Sequence, residues 1–226
     1  VVVGSVCSLH RTTFSGGSPL ADSFDELPPR EALVEIARDF YGRGWMAGTA
    51  GNLSARADGD HFWITASGLP KGRLSTSDFI LVRITDAAVV ERARAELAPS
   101  AETAMHAALY DLFRDANACL HGHTVAACVA TARAAKTKGL RLPSLEMIKG
   151  FDVWEQRPRA ELALFDNHLD VARVARDVRA RFRKTPPKIS ALLVRDHGPT
   201  VWGNGLQQAV NRFEVLDFLL NYLARR

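Results

Sequence analysis

The stretch ACLHGHTVAACVATAR, residues 118–133, decides how the chain is read. Its first half, Ala118 to His123, is a short apolar run of strand type. From Thr124 the composition turns Ala-rich, and the spacing predicts a helix ending near Lys138 and Gly139. Along the chain as a whole, helices and strands alternate irregularly and several strands sit close enough for hairpins, which favours a mixed sheet covered by helices in a single domain. Side chains alternate across a strand with period two, so His121 and His123 are expected on one face. Gly122 between them leaves room for close approach. Two neutral imidazoles side by side each carry a polar nitrogen that needs a partner. A divalent metal satisfies both; a pair of hydrogen-bonded core histidines is the alternative, and an isolated His-x-His does not decide between them.

Working outward, Ile189 to Arg195 reads as a buried strand, and His197-Gly198 stands at its exit, 74 residues after His123. Zinc-finger ligands lie close in sequence, so that arrangement is excluded. Three histidines with one position left open suit a catalytic zinc site, and a hydrogen-bonded histidine after a strand is the plain alternative. Upstream, Glu102 to Arg114 is a predicted helix with Ser100 placed to cap it. Glu102 and His106 are neighbours on one face of that helix, either as metal donors or as an intrahelical salt bridge. Cys119 shares the His121 face and reads as a small buried residue. Glu146 lies in the otherwise apolar turn SLEMIKG. Such a setting is expected to raise its pKa and suit general acid–base work, with Lys149 as the competing ion-pair partner. The loops GTAGNLS (48–54), ITASG (64–68) and PSAE (99–102) bring small hydroxyl and amide residues. Such loops, with a helix start, are able to cradle a phosphate, but none is a Walker A or a GxGxxG, and read singly they are turns.

The remaining elements follow from pattern and punctuation. A helix begins at Pro28-Pro29, carries Leu33, Ile36, Ala37 and Phe40 on one stripe, and ends at Gly42 and Gly44. Asn52–Arg56, His61–Thr65 and Phe79–Ile84 are predicted strands. Residues 86–97 read as either helix or strand, and residues 140–167 show little periodicity. Asp170–Lys184 is a helix in which Val171, Val174, Val178 and Phe182 thread a run of basic residues, read as a solvated face rather than an anion-binding one. Leu206–Leu223 is a long closing helix.

Composition bounds the rest. The 226 residues are 47% hydrophobic and 24% charged, which excludes disorder along the whole chain. A net charge of +4 is too small to imply nucleic acid. No apolar run is long enough to span a bilayer, and residues 1–9 make a poor signal peptide. Three cysteines without a CxxC pair fit a reducing compartment, so a cytoplasmic location is expected. Residues 1–25 lack periodicity and are expected to be a disordered extension.

Taken in order, AGTAGNLSAR, ITASGLPKGRL, DFILV, PSAETAMHAALY, CLHGHTVAA, LEMIKG, LFDNHLDVARVA and LLVRDHGPTVWG resemble the class II aldolase/adducin family over residues 27–223. LEMIKG is similar to the branch that dehydrates 5-methylthioribulose 1-phosphate. The resemblance implies a single domain from residue 26 to 226, a three-layer α/β/α sandwich around a mixed, mostly antiparallel sheet. It implies a homotetramer with active sites near subunit contacts, acting on a sugar phosphate without nucleic acid or membrane. His121, His123 and His197 would hold one Zn2+ per subunit. Glu146 falls at the dehydratases' acid–base position and Glu102 at the aldolases' catalytic glutamate. Asn52, Ser67, Gly68, Lys71 and Ser100 would surround the substrate phosphate. Trp45, Met46 and Phe151 are candidates for its methylthio end. One departure stands out: after His197-Gly198 the family often has an aliphatic residue and Tyr, whereas Pro199 and Thr200 stand here.

The reaction expected is metal-dependent loss of water to a 2,3-diketone phosphate, in methionine salvage. The rivals are a sugar-phosphate aldolase or epimerase of the fuculose- or ribulose-phosphate type, relying on Glu102, and an adducin-like scaffold without chemistry.

Overall fold

The computed structural model describes residues 23–134 and 137–226. The expectations for residues 1–22, Cys7 included, lie outside the described residues. Among the described residues, nine strands form one sheet in the order β4-β3-β2-β1-β5-β9-β8-β7-β6. These are β1 (Asn52–Arg56), β2 (His61–Thr65), β3 (Phe79–Arg83), β4 (Val89–Arg92), β5 (Ala118–His121), β6 (Gly139–Arg141), β7 (Glu161–Phe165), β8 (Ala191–Val194) and β9 (Gly198–Gly203). Every pairing is antiparallel except β7 with β8. That pair is joined by the helix α4 (Val171–Lys184), the crossover a parallel pair requires.

Helices cover both faces, which gives the expected α/β/α sandwich. On one face α1 (Pro29–Gly42), α3 (Val125–Arg133) and α5 (Leu206–Arg225) bury Leu33, Phe40, Ala127, Phe213 and Leu216 against the sheet. On the other, α2 (Thr103–Leu112) and α4 bury Met105, Leu109, Val174, Val178 and Phe182. Arg179 of α4 is ion-paired with Asp111 of α2, so the basic run partly serves to tie these helices together. The solvated-face reading of α4 therefore stands: its apolar stripe is buried and its cations face outward or pair.

Three expectations change. The strand of the opening stretch stops at His121, because ladder pairing with β9 ends at His121–Thr200. The His123 N–H bonds instead to the Trp45 carbonyl at 2.7 Å. Residues 86–97 take the strand alternative as the wholly exposed β4, and the stretch of little periodicity holds strands too, β6 being very short and β7 largely buried, so neither shows alternation. Finally, GPTVWG is the fully buried strand β9, at the middle of the sheet. Its leading Gly-Pro disguises it, since proline is unusual in central strands.

Candidate metal centre

Antiparallel order brings three strand ends to one edge of the sheet. The start of β1 lies beside the end of β5, and the end of β5 beside the start of β9. His121 closes β5, His123 follows it, and His197 sits in the β8–β9 turn. That turn is tight: Asp196 takes φ 52°, in the left-handed region. A Cβ on Gly198 would run into the Gly122 carbonyl oxygen, so only glycine lets the two histidine-bearing turns touch. Behind them the rings of Phe40, Trp45 and Phe213 pack with centroids 4.7–4.9 Å apart. This cluster holds the Trp45 backbone that anchors His123.

The result is a convergence of four donor side chains, Glu102, His121, His123 and His197, with donor atoms within 4.8 Å of one another. His197 Nε2 lies 3.0 Å from His123 Nε2. Glu102 Oε2 is 3.3 Å from His121 Nε2, and Oε1 is 3.4 Å from His197 Nε2. Tetrahedral zinc with bonds of about 2.0–2.1 Å sets its ligand atoms roughly 3.3 Å apart, so these spacings fit. Burial and the neighbouring His197 push His121 down to about 3, and burial, His121 and His197 push His123 down to about 4. Both rings are thus neutral at physiological pH, the form that binds metal. His121 Nδ1 lies 3.0 Å from the buried Thr200 hydroxyl. Its Nε2 is buried without a hydrogen bond: the Glu102 oxygen is near, but not in hydrogen-bonding geometry. A lone buried nitrogen facing three other donors is what a divalent cation would satisfy.

A cavity of about 240 Å³ opens on this cluster. Asn52, Ser67, Gly68, Lys71 and Ser100 line it together with Glu102, His123 and His197. The expected phosphate residues are therefore gathered beside the donors. Lys71 is buried, which lowers its pKa, and its ammonium donates to the carbonyls of Thr49 and Leu69. Asn52 turns inward: Nδ2 donates to Glu102 Oε2 at 2.5 Å. Glu102 is the N-cap residue of α2, and Ser100 precedes it, its hydroxyl accepting from the Glu102 N–H.

Other expectations are corrected. Glu102 and His106 form no salt bridge, since the His106 Nδ1 meets Ser54 instead. Glu146 is 81% exposed on its side chain, 2.6 Å from Lys149, and that ammonium lowers its pKa rather than burial raising it. It does not line the donor cavity. It borders an apolar groove of about 670 Å³ with Leu145, Met147, Val215, Phe218 and Tyr222. Trp45, Met46 and Phe151 belong to the hydrophobic core. Cys119 is buried core, as expected. Thr200, Ser54 and Val171, which lines the cavity from α4, carry no sequence signal of their own.

Residues 31–223 match the family described as Class II Aldolase and Adducin N-terminal domain. The chain is 46% identical over 195 residues to methylthioribulose-1-phosphate dehydratase of Microcystis aeruginosa, covering 86% of this chain and 94% of that protein. It is 38% identical over 209 residues to the protein of the same name from Leptospira biflexa, covering 89% and 99%. The fold is shared with YgbL of Escherichia coli, at a TM-score of 0.72 and 24% identity over 85% of this chain and 86% of that one. L-fuculose-1-phosphate aldolase of Thermus thermophilus superposes with a TM-score of 0.64 at 24% identity, over 87% and 91%. With the His-x-His strand end, the late His-Gly turn and the layered sheet all in place, this chain belongs to the class II aldolase and adducin N-terminal domain family.

Proposed function

We propose that the protein removes water from 5-methylthioribulose 1-phosphate, giving 2,3-diketo-5-methylthiopentyl 1-phosphate, as a zinc-dependent lyase of methionine salvage in the cytoplasm. The observation that carries this is the convergence of the donor atoms of Glu102, His121, His123 and His197, beside the cavity that Glu102, His123 and His197 line. The dehydratase relatives select the reaction among those such a centre serves.

A zinc ion held by the three histidines, with Glu102 as a further donor, would supply Lewis-acid polarisation of the ketose carbonyl. The chain's own groups do the remainder. Lys71, Ser67, Gly68, Ser100 and Asn52 receive the phosphate and so place C3 and C4 at the donor cluster. Glu102, bonded to the Asn52 amide and set beside the imidazoles, serves as a donor to the metal, and Glu146, at the dehydratases' acid–base position, is the proton carrier in this reading. Its carboxylate takes the C3 proton and returns it to the C4 hydroxyl, which departs as water. The enol left behind tautomerises to the diketone.

Glu146 reaches that position in a homotetramer, across a contact between copies. Its exposure in the single chain and the apolar groove beside it support this arrangement. Desolvation at such a contact would raise its pKa into the working range. The test is product analysis with 5-methylthioribulose 1-phosphate, with and without chelator, against fuculose 1-phosphate and ribulose 5-phosphate. Diketone formation that ceases with chelator is expected. Cleavage or epimerisation of the other two sugars, without diketone, would replace this reading with the aldolase or epimerase one.

A further inference from the structure

One turn below the donor cluster lies a second, wholly buried polar group. Ser54 Oγ is 2.7 Å from His106 Nδ1, 2.8 Å from Tyr110 Oη and 3.3 Å from the Cys119 carbonyl oxygen. Ser54, His106 and Tyr110 are all fully buried. The Cys119 carbonyl accepts, and the His106 ring and the Tyr110 hydroxyl meet the same serine oxygen, so one side chain carries all three contacts. The His106 Nε2 is buried without a hydrogen-bond partner.

Each contact of this hub sits one step from the metal donors along its own element. Ser54 is two residues from Asn52 on the same face of β1. Cys119 is two residues from His121 on β5. His106 is one helical turn from Glu102 on α2. Asn52–Glu102 and Ser54–His106 therefore form two parallel rungs between β1 and α2. The hub joins the three elements that must hold Glu102 and His121 in register, in a core otherwise built of apolar side chains.

We propose that Ser54 is a positioning residue of the metal centre: through His106 and Cys119 it sets where Glu102 and His121 present their donor atoms. This rests on the metal-centre reading above, and on the metal rather than on the substrate. The test is cobalt affinity, measured by chelator competition on the full chain, for wild type, Ser54→Ala, Glu102→Gln and the double variant. Loss of a group supporting metal ligands typically costs about 10–100-fold in affinity. A loss of that size in Ser54→Ala, shrinking to a few-fold in the Glu102→Gln background, is the expected result. Affinity within twofold of wild type, an undiminished loss in the double variant, or a wild-type protein that binds no cobalt would each overturn the proposal. If Ser54→Ala is not recovered folded, Ser54→Cys fills the same space with a poor hydrogen-bonding group and is read the same way. Absence of dehydratase turnover in wild type would sink the proposed reaction while leaving the cobalt result standing.

Discussion

The donor cluster and the Glu146 turn are two regions of opposite character. Around Glu102, His121 and His197, three strand ends, a helix start and two touching glycine turns leave each side chain almost no freedom. Glu146 sits on a short 3-10 helix, Glu146–Phe151, with a lysine three residues away and solvent over most of its surface. The far end of that segment is secured: Asp152 accepts from the buried Arg212 at 2.9 Å. One chain thus gathers four donor side chains at one point and leaves the Glu146 carboxylate exposed beside Lys149. Buried donors are preorganised by the sheet, whereas an exposed acid depends on what covers it.

The largest effect should come from the cluster itself. His197→Ala or His121→Ala is expected to lose bound metal and reduce turnover to background, with elemental analysis as the check; metal retained at wild-type stoichiometry would break the contrast. Glu146→Gln should keep metal and fold and lose about 10²–10⁴ in kcat. Co-refolding Glu146→Gln with His197→Ala sharpens the comparison further. Activity regained by the mixture places Glu146 across a subunit contact, and mixed oligomers with no recovery refute that placement. Thr200→Val removes the hydroxyl beside His121 Nδ1, should weaken metal binding by about 10–100-fold, and should lower Tm by the few degrees that an unpaired buried nitrogen costs.

An effect of a different kind falls on the stability of metal-free protein. His121 and His106 titrate at about 3 and His123 at about 4 in the folded chain, against an ordinary 6.5. Below about 6.5 the unfolded chain takes up protons that the folded one refuses. Stability is therefore whole above that pH and is lost as pH falls toward 4. The urea midpoint of chelator-treated protein should drop between pH 7.5 and 5, and a flat profile would mean that the cluster is open to solvent.

Much of this was legible beforehand, for reasons that differ by residue. His121, His123 and His197 are rare residue types next to glycines at strand ends, so their chemistry shows in local pattern. The helices α1, α4 and α5 advertise their apolar stripes. β9 escaped because a strand paired on both sides and buried throughout has no alternation, and its proline argues against it. The raised pKa expected of Glu146 failed because an apolar neighbourhood in sequence is not burial in space: Leu145 and Met147 border the groove while the carboxylate points to solvent and Lys149.

Sequence alone determined the layered α/β class and singled out the three imidazoles and the small-residue loops, because periodicity and residue chemistry are local properties. Only tertiary structure decided that Glu102 joins the histidines, that Thr200 meets His121 and that Ser54 ties β1, β5 and α2 together. Those relations arise where antiparallel strands distant in the chain end side by side, and no local pattern encodes which ends will meet.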